Sequence, residues 1–254
     1  MALTVDRVGV QFGGLRALED VEISVEAGRI VGLVGPNGAG KTTLFNSITG
    51  ILRPQDGRVF IDGEDISDLR PDQRVRLGIG RTFQTPRLDL DASALDAVLV
   101  GFYPTIRQGF VGAFLGLPEV RQQEARIRTQ ARHLIEEFEL VADPHVRAGE
   151  LSLARLRLLE VARALAGNPK YLLLDEPAAG LDDHDRLLLA AAIRAAAKRG
   201  IGVLLVEHNV PFVADLGEEL IALVNGRVIA SGRPSVVVAD ERVIAAYLGA
   251  HSVA

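Results

Sequence analysis

Residues 35–42 read GPNGAGKT and complete the phosphate-loop pattern G-x-x-x-x-G-K-[ST]. Gly35, Gly38 and Gly40 let the backbone wrap tightly enough for consecutive N–H groups to point at phosphate oxygens. A helix starting at the loop adds the positive end of its dipole. Lys41 can reach β- and γ-phosphates, the Thr42 hydroxyl suits a magnesium ion, and Thr43 offers a further phosphate contact. Pro36, Asn37 and Ala39 complete the nucleotide-binding stretch. A glycine-rich turn with an incidental lysine is the bland alternative, and the flanking sequence argues against it. RIVGLVG, before the loop, is the apolar β-branched run of a buried strand. KTTLFNSITGIL, after it, has apolar positions that suit a helix.

Farther out, Leu3 to Val25 mixes short β-like runs around the turn signal FGG, and GRVFIDGEDI (57–66) reads as a hairpin turning at Asp62-Gly63. From about Ser93 to Leu140 the character is helical. QQEARIRTQARHLIEEFEL there spaces its apolar residues by three and four. After Leu151 a helix, the strand YLLLD, another helix, the strand GVLLVEH and a closing strand pair in LIALVNGRVIASG follow. The fold expected is α/β: a P-loop core with a mixed parallel and antiparallel sheet. The whole chain, 1–254, is expected to form one nucleotide-binding domain, with a helical lobe inserted at 85–152.

Composition narrows the function classes. The 254 residues carry 28 Lys and Arg against 33 Asp and Glu, a net charge of -5 with no strongly basic block, so nucleic acid is not an expected partner. Cysteine is absent, which removes disulfides, thiolate metal sites and cysteine nucleophiles. MALTVDRVGVQF lacks the pattern of a secretory signal, and no run of about 18 apolar residues is present to span a bilayer. A cytoplasmic address is expected, with any membrane reached through a partner.

YLLLDEP (171–177) ends an apolar strand in two acids. Asp175 can hold magnesium, directly or through water, and Glu176 can polarise an attacking water. Alone, such a pair reads equally well as surface acids; beside the loop at 35–42 it reads as chemistry.

With these stretches in order, the chain resembles the ATP-binding subunit of an ABC transporter over almost its whole length. The resemblance implies ATP and Mg2+ as ligands and ATP hydrolysis as the activity. Phe12 matches the aromatic that stacks on adenine, and Gln84, in RTFQTPRL, matches the Q-loop glutamine that touches metal and water. Asp182, in AGLD, matches the D-loop acid facing a partner protomer, and His208, in LLVEHN, matches the switch histidine at the γ-phosphate. Each has a plainer reading on its own: Phe12 as packing, Gln84 as a polar loop residue, Asp182 as a helix cap, His208 as a structural histidine.

RTFQ, DEPAAGLD, VEHN and the near-terminal VIAAYLGA narrow the resemblance to the larger ATPase type of branched-chain amino acid importers. Relatives in that branch carry urea, amides or lipids, so cargo is the weaker inference. The implied partners are a second ABC ATPase subunit (a different one favoured over a second copy), transmembrane permease subunits and, indirectly, a solute-binding protein. The implied place is the inner face of the cell membrane. Phe102, Tyr103, Phe110 and Phe114 cluster among glycines in 101–118, as a packed loop or as a transporter-docking patch.

One segment departs from the family pattern. Where that branch has L-S-Y-G-x-Q, this chain reads LSLARLRLLEVARAL from Leu151. Leu151 and Ser152 are kept, but Ala154 stands for the glycine and Leu156 for the glutamine. Ser152 can cap a helix and also offer its hydroxyl to a partner's γ-phosphate. The methyl of Ala154 crowds that approach, and the readings stay open: a signature that still works, a plain capped amphipathic helix over 151–165, or, as the alternative function, a catalytically asymmetric dimer in which this chain's own phosphate loop stays competent. Three rivals remain: an ABC ATPase of translation or DNA repair, lacking here the second motor or long coiled coil; a non-catalytic regulatory subunit; and a small-molecule kinase, which leaves 151–165 and Asp182 unexplained.

Overall fold

A computed structural model describes residues 1–105 and 118–250; Phe110 and Phe114 of the aromatic segment lie outside the described residues. The chain divides into two compact units. The first comprises Met1–Arg81, Lys170–Glu176 and the chain from Ile193 onward; the second comprises Thr82–Pro169 and Pro177–Ala192.

The first unit contains two sheets among the described residues. Strands β1 (Ala2–Phe12), β2 (Leu15–Glu26), β4 (Asp56–Ile61) and β5 (Glu64–Asp65) form an antiparallel sheet in the order β2-β1-β4-β5. The sequence suggests only short β-like runs before Val25, yet β1 and β2 are long. Bulges between Val5 and Val8, and between Val8 and Val10, break the two-residue alternation that would have marked β1 as one strand.

The second sheet has the order β10-β9-β3-β8-β7-β6, from β3 (Ile30–Val34), β6 (Ile79–Arg81), β7 (Tyr171–Asp175), β8 (Gly202–Val206), β9 (Glu219–Val224) and β10 (Arg227–Gly232). All its pairings are parallel except β10 on β9. Every residue of β3, β7 and β8 is buried, as continuous apolar strands of a covered parallel sheet require. Val206 pairs with Leu33 on one side and Asp175 on the other. Residues following β3, β7 and β8 therefore leave the sheet at one edge, the carboxyl ends where α/β sheets place ligands.

Helix α1 (Lys41–Thr49) follows β3 and closes at Gly50, whose left-handed backbone returns an N–H to the Ser47 carbonyl. That stop precedes Leu52, where the apolar pattern alone would have carried the helix. Phe45, Leu44 and Ile48 pack from α1 into a core shared with Leu3, Val21, Val59, Leu173 and Leu204, each such burial stabilising by about 2 kcal/mol. Short α2 (Pro71–Arg76) precedes β6, and α7 (Val210–Leu216), α8 (Pro234–Val238) and α9 (Glu241–Ala250) also belong to this unit.

In the second unit α3 (Ala94–Gly101) packs on α4 (Pro118–Glu137) and α5 (Leu153–Ala166). Leu95 and Val98 of α3, Leu134 and Ile135 of α4, and Leu158 and Leu159 of α5 are buried. Ser93 caps α3 by accepting the Asp96 N–H at 3.0 Å. α6 (Asp183–Lys198) follows Asp182.

Candidate nucleotide site

The 35–42 loop is built where side chains do not fit. A Cβ on Gly35 would lie 2.1 Å from the Leu223 carbonyl oxygen of β9. Gly40 has φ +107°, and its Cβ would lie 2.5 Å from the Ala17 carbonyl of β2. Glycine is therefore required at both ends of the turn. Gly40 also begins α1 without a side-chain cap, and no acid stands in the helix's first turn. The first N–H groups of α1 thus remain for an external anion.

The Lys41 ammonium curls back over the loop, donating to the Gly35 carbonyl at 2.6 Å and the Pro36 carbonyl at 3.0 Å. Burial lowers its pKa, while the charges of Glu176 and Asp175 oppose that shift. A cation held among carbonyls beside two carboxylates is ready to move onto phosphate oxygens. Thr42 and Thr43 sit in the same first turn, Thr42 exposed and Thr43 half-buried.

Asp175 and Glu176 reach the same sheet edge from β7. Asp175 is 5% exposed, and its Oδ2 accepts from an Arg81 guanidinium nitrogen at 3.1 Å. Burial pushes the Asp175 carboxyl above its ordinary range, and Arg81 counteracts. Glu176 takes a left-handed backbone, φ +50°, unusual for a residue other than glycine. Its N–H donates to the Val206 carbonyl at 2.9 Å. Its Oε1 lies 2.6 Å from Nε2 of His208, two residues past β8. The sequence-derived set of loop, acid pair and histidine is thus gathered on neighbouring strands. Phe12 ends β1 half-exposed opposite Leu15, two residues before the Ala17 carbonyl that abuts Gly40.

Oxygen donors suit magnesium, and the Asp175 carboxylate and Thr42 hydroxyl are of that kind. Among the described residues no group of three or more His, Cys, Asp or Glu could hold a metal, so phosphate and water oxygens must complete such a shell.

Gln84, Ser152 and Asp182 belong to the second unit. Gln84 is exposed in a loop tied down on both sides: Glu160 Oε1 accepts from the Phe83 and Arg87 N–H groups at 3.3 and 3.4 Å. Arg163 bonds Glu160 at 3.3 Å and the Arg87 carbonyl at 2.6 Å. Ser152 caps α5 through the Arg155 N–H at 3.3 Å, and Asp182 caps α6 through the Asp185 N–H at 2.8 Å. Ala154, in the first turn of α5, is buried. Arg81, Glu160 and Arg163 escaped the sequence reading. The available signal was charge inside an apolar strand or helix, which demands a buried partner, but the partner's identity is not local.

A family model described as ABC transporter matches residues 18–179, and one described as branched-chain amino acid ATP-binding cassette transporter matches residues 227–253. The chain is 36% identical over 248 residues to the high-affinity branched-chain amino acid transport ATP-binding protein BraF of Pseudomonas aeruginosa, covering 97% of each. It is 38% identical over 232 residues to the lipopolysaccharide export system ATP-binding protein LptB of Acidithiobacillus ferridurans, covering 91% of this chain and 90% of that one. A crystal structure of the ADP conformation of an ATP-binding cassette of an ABC transporter superposes with a TM-score of 0.84 at 31% identity, covering 98% of this chain and 99% of that one.

Proposed function

The chain belongs to the ABC transporter family as an ATP-binding and ATP-hydrolysing subunit, and from that premise we propose that it drives import of branched-chain amino acids or related small polar solutes. The observation carrying the catalytic half is the pairing of Glu176 with His208 at 2.6 Å, on the sheet edge that also bears the phosphate loop. Glu176 orients and activates water for attack on the γ-phosphate; its bond to His208 fixes the carboxylate, and the imidazole also faces the γ-phosphate. Lys41 leaves the loop carbonyls for the phosphates and stabilises the charge that builds on them. Thr42 and Asp175 would hold Mg2+, which when bound neutralises phosphate charge. Phe12 stacks on adenine, and Ser152 and Asp182 serve a composite site completed by a second ATPase subunit. The assembly lies on the inner face of the membrane through permease subunits, where ATP-driven closure of the dimer is passed to them.

The match at 227–253 and the likeness to BraF support amino acid cargo; the likeness to LptB supports a second reading, lipid export. The permease complex copurified with this chain, placed in proteoliposomes, decides between them. Leucine-loaded binding protein stimulating ATP turnover and leucine uptake is the expected result. Stimulation by lipid alone sinks the import reading, and failure to copurify with any permease sinks transport.

A further inference from the structure

β6 is a three-residue strand, Ile79–Arg81, that ends in a charge with almost no access to water: the side chains of Arg81 and Asp175 are each 7% exposed. Burying a guanidinium is costly unless its donors are satisfied and its charge is matched. Three residues of one helix contribute to that. One terminal nitrogen donates to Asn46 Oδ1 at 2.8 Å and Thr49 Oγ1 at 3.1 Å, and the guanidinium carbon lies 5.5 Å from the centre of the Phe45 ring. Thr49 is itself fixed, its hydroxyl donating to the Phe45 carbonyl at 2.8 Å. The other terminal nitrogen meets Asp175 Oδ2. Asp175 has its backbone fixed by pairing with Val206, but its carboxylate takes direction from a side chain that α1 holds. α1 is the helix that begins at the phosphate loop, so one rigid fork sets the geometry between that helix and the strand-end acid.

We propose that Arg81 is a positioning residue for magnesium-nucleotide binding: anchored by Asn46, Thr49 and Phe45, it holds the Asp175 carboxylate in the orientation from which it takes up the metal. Arg81 touches neither the nucleotide nor the metal in this role; it acts through Asp175. The proposal rests on the reading of residues 35–42 and Asp175 as the nucleotide and magnesium site. A buried ion pair that served folding alone would affect stability and leave metal preference untouched, which separates the two roles.

The measurement is the ratio of dissociation constants for the non-hydrolysable ATP analogue AMP-PNP in EDTA and in magnesium, by calorimetry on the full chain. For Arg81→Met the magnesium-dependent gain in affinity should shrink by about 10-fold or more, the usual cost of losing a residue that orients a metal ligand, with affinity in EDTA little changed. Arg81→Lys keeps the charge but not the fork and should lose part of the gain. Asp175→Asn should lose most of it, and adding Arg81→Met to Asp175→Asn should cost little more. Circular dichroism checks folding. If Arg81→Met does not fold, the Asn46→Ala/Thr49→Val double variant, which loosens the fork and keeps its charge, must show the reduced ratio. A wild-type ratio in whichever variant folds makes Arg81 a structural brace, and a larger ratio makes it a competitor of the metal; either overturns the proposal. Lys41→Ala is the control on the underlying reading: if it binds AMP-PNP like the wild type, the site itself is misplaced, whatever Arg81 does.

Discussion

Glu176 stands one position beyond β7 with a left-handed backbone that costs a residue with a side chain on the order of 1 kcal/mol. The bond from its N–H to the Val206 carbonyl holds that conformation, and the side chain turns toward His208. Replacing the carboxylate by its amide keeps shape and hydrogen bonding but removes the base. Glu176→Gln should therefore lower ATP turnover by about 10²–10⁴-fold and leave ATP affinity intact, read by phosphate release and by calorimetry. Unchanged turnover refutes the assignment. The loop, the acid pair and His208 were legible in sequence because each lies inside a short stretch whose spacing carries its meaning. Arg81 was not, since its carboxylate partner is 94 positions away and no local pattern joins them.

α1 shows what local patterns read well and what they omit. Its start was legible from the glycines and its interior from apolar spacing, but the brace at its far end was not. Arg74, on the short helix α2, is 1% exposed and donates to carbonyls rather than to a carboxylate. One terminal nitrogen reaches the Ser47 and Ile48 carbonyls at 2.7 and 2.8 Å, Nε the Leu69 carbonyl at 2.9 Å and the other terminal nitrogen the Ser67 carbonyl at 2.7 Å. Burial lowers the pKa of its guanidinium, yet two of these acceptors, the Ser47 and Ile48 carbonyls, sit at the negative end of α1, where a cation is favoured. Arg74→Met removes all four of these bonds and should destabilise the protein by about 3 kcal/mol, seen as a lower urea midpoint. AMP-PNP affinity of the folded fraction should hold, because the phosphate loop lies at the opposite end of the helix. An unchanged midpoint would show that water takes over the carbonyls at no cost. In the sequence, Arg74 lies in the charged stretch RPDQRVR, and only the tertiary placement of α2 reveals it as a cap.

At the scale of the whole molecule, the strand order β10-β9-β3-β8-β7-β6 was beyond the sequence, since crossover connections fix which strands neighbour one another and periodicity carries no such record. What sequence did expose was the departure at 151–156, and its consequence belongs to an assembly of two motors. Ser152 retains both its position as the cap of α5 and its exposure, so the hydroxyl is available to a partner's nucleotide. Ala154 and Leu156 are the altered members of that turn: the first is a buried methyl at the family's glycine position, the second removes a polar side chain. The chain's own phosphate loop, Glu176 and His208 carry no corresponding change. A catalytically asymmetric dimer predicts weak closure on a second copy and firm closure on a motor whose signature is intact. Purified Glu176→Gln protein, which holds ATP without consuming it, should bind ATP yet scatter light as a monomer, and should dimerise when a partner ATPase bearing the family's glycine and glutamine is added. ATP-driven dimerisation of this chain alone would instead show that a turn with Ala154 and Leu156 still clasps nucleotide, and a symmetric homodimer would replace the asymmetric one. In an assembled heterodimer, equal turnover at both composite sites would discard the asymmetry even if the partners differ.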